Sequence, residues 1–156
     1  MSLQTQAEAF LAQERIAVVG VSRKGGTGKE IFKALRKRGY EVVPVNTKTS
    51  EVLGETCYPK VSAIDGGVGA VVVATRAEMA EDVMRDCVEA GVTHVWMHYN
   101  ALFGAKSSSV SQEAADYGRE HGVEVIAGGC PLMFGDGADL GHRCMRWWLG
   151  VTKKLP

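Results

Sequence analysis

The residues best suited to chemistry stand in one glycine-rich segment, Gly20-Val21-Ser22-Arg23-Lys24-Gly25-Gly26-Thr27-Gly28-Lys29. Glycines let backbone amides approach a phosphate, and a helix starting just after them adds free N–H groups and a favourable dipole. Arg23, Lys24 and Lys29 add positive charge. Three readings compete. A P-loop needs G-x-x-x-x-G-K followed by Ser or Thr. Here Glu30 follows Gly28-Lys29 and Arg23 takes the first glycine position, so magnesium would find no hydroxyl. A dinucleotide fingerprint, G-x-G-x-x-G, matches Gly20 to Gly25 except at Ser22. Glycines that merely make a strand-to-helix turn are the third reading.

A second segment narrows the choice. NAD sites usually place an acid at the end of the second strand to bond the ribose hydroxyls. This chain has Val45-Asn46-Thr47-Lys48 there, neutral then basic. A lysine favours a phosphate on the ribose, as in NADP or the 3′-phosphate of coenzyme A; a solvated loop lysine is the plain alternative. Two further candidates are His98, a general base if a ligand lies near it, and Cys130, which would form a mixed disulfide with a ligand thiol only as an accessible thiolate. A hydrogen-bonded structural histidine and a small buried thiol are the bland readings, and both are preferred. Cys130, His142 and Cys144 fit no established zinc spacing and lack a fourth ligand.

The elements that must position these groups alternate along the chain. Ile16–Val19, Glu41–Val45, Ala70–Ala74, His94–Met97 and Val123–Ala127 read as strands, each a short apolar run. Helical spacing marks Lys29–Arg38, Ala77–Ala90 and Ser109–His121, closed by Gly39, Gly91 and Gly122. In the second of these, Met79, Val83, Cys87 and Val88 form the expected inner face. A polar loop is expected from Asn46 to Tyr58-Pro59. Helices are also expected at about residues 4–13, with Ala7, Phe10 and Leu11 on one face, and at about 138–150. In the latter, one of the adjacent Trp147 and Trp148 packs and the other is left to cover a ligand or a partner subunit. Strands separated by helices of ten or more residues require a parallel sheet. The expected fold is therefore α/β: a single Rossmann-type, doubly wound parallel sheet of about five strands with helices on both faces, in one domain over residues 1–156.

Composition sets the outer limits. The 156 residues are 46% hydrophobic and 23% charged, with 18 basic and 18 acidic side chains. A nucleic-acid binder would normally carry a basic excess, so no nucleic-acid partner is expected. No apolar run reaches a membrane-spanning length, and no secretory signal opens the chain. The four cysteines are widely spaced, so a cytoplasmic protein without a disulfide framework is expected.

Taken together, Val19-Gly20-Val21-Ser22-Arg23, Gly39-Tyr40-Glu41-Val42-Val43-Pro44-Val45-Asn46 and Leu53-Gly54-Glu55-Thr56-Cys57-Tyr58-Pro59 resemble the small stand-alone CoA-binding proteins. The fold of that family is similar to the N-terminal domain of the succinyl-CoA synthetase alpha subunit. Val95-Trp96-Met97 and Val125-Ile126-Ala127-Gly128-Gly129-Cys130-Pro131 fit the same pattern, so the resemblance covers roughly residues 14 to 134. It implies that Gly20, Ser22, Arg23 and Lys24 hold a pyrophosphate. Val45, Asn46 and Lys48 would meet the adenosine ribose and its 3′-phosphate. Ala74, Thr75 and Arg76 would flank the adenine or the diphosphate, and Met97, Cys130 and Pro131 would lie towards the pantetheine arm. Thr47 replaces the family's usual proline, which predicts a looser turn before Lys48. The tail from Gly141 to Trp148 extends past the shared core.

The resemblance further implies coenzyme A or an acyl-CoA as ligand. The synthetase's phosphorylated histidine belongs to a domain absent from this chain, so a non-catalytic carrier, sensor or regulator is expected. An NADP-linked oxidoreductase and a ligand-free interaction module are the alternatives. A homo-oligomer or a protein partner is left open.

Overall fold

The computed structural model describes residues 1–100, 104 and 107–156. Its central sheet has five parallel strands in the order β2-β1-β5-β6-β7: Glu41–Val45, Arg15–Val19, Ala70–Val73, His94–Met97 and Glu124–Ala127. The strands are short and mostly β-branched because both of their faces are covered, which removes any need for polar alternation. Even-numbered residues such as Ile16, Val18, Val72, Trp96 and Ile126 share one core with α1 (Leu3–Leu11), α2 (Thr27–Lys37) and α5 (Leu140–Val151). Odd-numbered Ala17, Val19, Val71, Val73, Val95 and Met97 face the other core, built with α3 (Ala80–Glu89) and α4 (Gln112–Glu120).

This arrangement is the doubly wound fold with helices on both faces that the alternating pattern predicts. The chain leaves β1 towards β2 on one side and returns to β5 on the other. The carboxyl ends of β1 and β5 therefore border the point where strand order reverses, the place where open α/β sheets receive ligands.

Two expectations need correction. The segment expected as a loop after β2 contains a small antiparallel hairpin, β3 (Glu51–Val52) with β4 (Glu55–Thr56). Its two-residue turn is Leu53-Gly54 with φ of 53° and 78°. A leucine at positive φ is not a turn signal, so the pattern was invisible. The helix expected from Ala77 begins instead as a 3-10 turn, Ala77–Met79, before α3 proper. Met79, in that tighter turn, is exposed, while Cys87 is buried with Ala80 and Met84, and Val83 and Val88 pack half-buried against the same core.

Trp96 anchors the first core. It is fully buried between Phe10, edge-on at 5.4 Å, and Phe134 at 5.5 Å. Its indole donates to the Gly128 carbonyl at 2.8 Å. Arg38 ties the following loop to α2 by donating to the Leu132 and Phe134 carbonyls at 2.7 and 3.1 Å.

Candidate functional site

Close backbone packing shapes the carboxyl edge of β1. Gly20 has φ of 102°, and a Cβ there would sit 2.6 Å from the Ala74 carbonyl oxygen at the end of β5. A Cβ on Gly28 would lie 2.5 Å from the Gly20 carbonyl oxygen. These two glycines let the end of β1, the start of α2 and the end of β5 converge, a meeting any larger residue would force apart. The fingerprint reading expected Gly25 in the last glycine position; the glycine at the helix contact is Gly28, three residues on. A Cβ on Gly25 or Gly26 meets nothing within 4 Å, so the crown of the loop is open.

The first turn of α2 faces this opening. Its N-cap is Gly26, which has no side chain to satisfy the leading N–H groups. Arg23 and Lys24 are exposed beside it. The Ser22 hydroxyl accepts from the Lys24 N–H at 3.2 Å, Lys29 donates to the Arg23 carbonyl at 2.7 Å, and Arg23 donates to the Glu51 carbonyl at 3.1 Å. The hairpin is thus part of the site's frame, which the linear sequence did not disclose.

Asn46 joins the two loops. Its Nδ2 donates to the Val21 carbonyl at 2.8 Å, and its Oδ1 accepts the Lys48 N–H at 2.8 Å. That second bond closes an Asx turn. The turn before Lys48, where Thr47 stands in place of the family's usual proline, is closed by this asparagine side chain. Lys48 is exposed, and none of Arg23, Lys24, Lys29, Lys48 and Arg76 is paired with a carboxylate among the described residues. Val45 is buried, with its carbonyl accepting the Gly20 N–H at 2.9 Å. The structure therefore brings Gly20, Ser22, Arg23, Lys24, Val45, Asn46 and Lys48 to one corner. Ala74, Thr75 and Arg76 border it at the end of β5.

The ends of β6 and β7 are different in kind. Met97 is buried in the core beside α3 and α4, and Cys130 and Pro131 are buried where β7 runs into a 3-10 turn. Burial pushes the Cys130 thiol up to about 11, so it stays protonated near neutrality. His98 is 3% exposed, its Nδ1 has no hydrogen-bond partner among the described residues, and burial lowers its pKa to about 4. The Thr75 hydroxyl is likewise buried without a partner among the described residues, while the Thr75 carbonyl accepts from Ser109. The C-terminal Leu155 and Pro156 lie over Gly128 and Gly129, within 3.4–3.8 Å of where their Cβ atoms would be. His142 is held by Asp139 at 2.7 Å, Cys144 is exposed on α5, and the described residues contain no group of three His, Cys, Asp or Glu side chains placed to hold a metal ion. A separate concavity of about 620 Å³, lined by Gln4, Glu8, Tyr40, Met133, Arg143 and Arg146 among others, opens between α1 and α5.

A glycine-formed turn at the reversal point, an uncapped helix start and unpaired cations are what a phosphate-bearing ligand requires. The family model described as a CoA binding domain matches residues 14–136. The chain belongs to the CoA-binding domain family. The uncharacterized protein YneT of Bacillus subtilis is 32% identical over 124 residues, covering 79% of this chain and 86% of that one. The ADP-forming acetate–CoA ligase II of Archaeoglobus fulgidus is 25% identical over 116 residues, covering 71% of this chain but only 17% of the ligase. Among solved structures, a hypothetical protein of Pyrococcus horikoshii superposes with a TM-score of 0.74 at 28% identity, covering 84% of this chain and 87% of that one. All the site positions named above fall inside this CoA-binding domain match, and α5 falls outside it.

Proposed function

We propose that the chain binds coenzyme A or an acyl-CoA at the corner formed by β1, β2 and β5, as a carrier, sensor or regulator in the cytoplasm. The observation that carries the reading is the cluster of exposed, carboxylate-free cations around the uncapped start of α2. Gly20, Ser22, Arg23 and Lys24 take the pyrophosphate, with backbone N–H groups and two positive side chains. Lys48, held by Asn46 beside Val45, takes the 3′-phosphate. Ala74, Thr75 and Arg76 flank the adenine or diphosphate, and the pantetheine arm runs towards Met97, Cys130 and Pro131.

Two features favour binding without catalysis. A neutral, buried His98 with no carboxylate paired to it among the described residues is a poor general base, and a protonated Cys130 is a poor nucleophile. No helix among the described residues is long and apolar enough to cross a membrane.

The test is parallel calorimetric titration with CoA, dephospho-CoA and NADP. Saturable CoA binding that weakens without the 3′-phosphate supports the reading. Binding of NADP alone turns it into a reductase, and no binding to any of the three leaves an interaction module.

A further inference from the structure

Helix α5 lies beyond the family match, and its outer face is apolar. Leu140, Cys144, Trp147 and Val151 follow at intervals of four, three and four residues, one stripe along the helix. All four are exposed, Leu140 at 77% and Trp147 at 70%, and Trp148 beside them is at 42%. The expectation that one tryptophan packs inward is corrected: Leu149 and Met145 take the inner positions instead. With Arg143 and Gly150, the stripe lines a shallow concavity of about 670 Å³. Exposed apolar stripes of this kind mark interaction surfaces.

We propose that this face is a two-fold interface, occupied by α5 of a second copy running antiparallel. Two features select a second copy. First, the stripe is self-complementary. In a two-fold contact, residue i meets j and j meets i. An axis crossing α5 between Met145 and Arg146 sets Trp147 of each copy against the small Cys144 of the other, and Leu140 against Val151.

Second, charge follows the same symmetry. Asp136 and Asp139 stand at the start of α5, and Lys153 and Lys154 just past its end. Asp136 and Lys153 are exposed and make no ion pair within the protomer among the described residues. Antiparallel pairing brings each acidic start to the partner's basic end; a parallel pair would oppose like charges. The interface needs no ligand, so it stands whether or not coenzyme A binds.

The decisive experiment is sedimentation velocity of the full chain, with and without substitutions, without added ligand. The wild type should sediment as a dimer of a 16.7 kDa chain at micromolar concentration. Trp147→Glu should raise the dissociation constant by roughly 30-fold or more, as for a central aromatic anchor, with an unchanged circular dichroism spectrum because the side chain is exposed. Lys153→Glu with Lys154→Glu should weaken the dimer, and adding Asp136→Lys to them should recover part of it, since the start of α5 is then neutral instead of facing a like charge. A wild type monomeric up to 100-fold higher concentration overturns the proposal. So does a dimer indifferent to Trp147→Glu, which would lie on another face, or a triple variant no tighter than the double, which would exclude the antiparallel register.

Discussion

The two ends of the sheet's carboxyl edge are built on opposite principles. At β1 and β2 the groups of interest are exposed and charged, and backbone hydrogen bonds hold them up: Asn46 to Val21 and Lys48, Arg23 to Glu51, Lys29 to Arg23. At β6 and β7 they are buried in apolar surroundings, with Trp96, Met97, His98 and Cys130 scarcely accessible. The first corner spends its structure on keeping charge available to a ligand. The second uses its residues for the core, and its titratable groups are pushed into their neutral forms. Substitutions in the two regions should therefore separate: those at β6 and β7 change stability, and those at β1 and β2 change affinity.

The largest effect should come from Trp96→Ala. The change removes contacts with Phe10 and Phe134 and leaves the Gly128 carbonyl without its donor. Truncating a buried aromatic side chain costs about 3–5 kcal/mol. Urea unfolding should show a loss of that size, with an unchanged Kd for coenzyme A in the fraction that stays folded. An affinity loss as large as the stability loss would break the comparison.

Next is the pH dependence set by His98. Its folded pKa of about 4 lies below the ordinary 6.5. Between these values the unfolded chain binds a proton that the folded chain refuses, so stability rises with pH through this window and is lost as pH falls. The full loss at pH 4 is about 3 kcal/mol, and nothing changes above about pH 7.5. Carboxylates add their own slope at the acid end, so the measurement is a difference: unfolding free energy against pH for wild type and His98→Gln. The variant should lack the portion between pH 6.5 and 5, where few carboxylates titrate. Parallel curves there would show that His98 is freely solvated.

At the other corner, Lys48→Ala should weaken coenzyme A by about 1.5–3 kcal/mol, the scale of a charge-assisted hydrogen bond. Dephospho-CoA should be nearly unaffected and stability should move by less than about 0.5 kcal/mol, because Lys48 is exposed and its side chain pairs with no carboxylate among the described residues. Equal losses for both ligands would remove Lys48 from the 3′-phosphate.

What was legible in the chain follows the same division. Strands such as Glu41–Val45 and His94–Met97 were readable to the residue, because β-branched runs between glycines and helical spacing leave little choice. The cations of the loop and Lys48 were readable because their types name their chemistry. The braces were not. The bond from Asn46 to Val21 spans 25 positions, and that from Arg23 to Glu51 spans 28. Such contacts arise from the crossover that sets β2 beside β1, and no local pattern encodes them. Met79 escaped for a similar reason: apolar spacing tells a helix from a strand, but the 3-10 turn ahead of α3 leaves this one side chain outside while Val83, Cys87 and Val88 meet the core. On α5, hydrophobicity identified the helix but not its inner side. Only its packing shows that Leu149 goes in and Trp147 stays out.

Asn46 lies where the two principles meet, and the smallest effect is expected there. Its side chain makes one bond as a donor and one as an acceptor, each worth about 0.5–1.5 kcal/mol, and it stands beneath the charged corner without carrying charge itself. Asn46→Asp keeps the acceptor for the Lys48 N–H but presents a carboxylate oxygen to the Val21 carbonyl, so the link between the loops is lost while the turn survives. Asn46→Ala loses both. If the corner depends on its braces, Asn46→Ala should weaken coenzyme A and dephospho-CoA by the same modest factor, since the loop as a whole loosens and no single phosphate contact is removed. Its effect should add less than fully to that of Lys48→Ala, because an unbraced Lys48 already contributes little. The double-mutant cycle, read by calorimetry, measures that coupling directly. Full additivity would mean that Lys48 finds its phosphate without the Asx turn, and that the charged corner is assembled by its ligand rather than held ready for it.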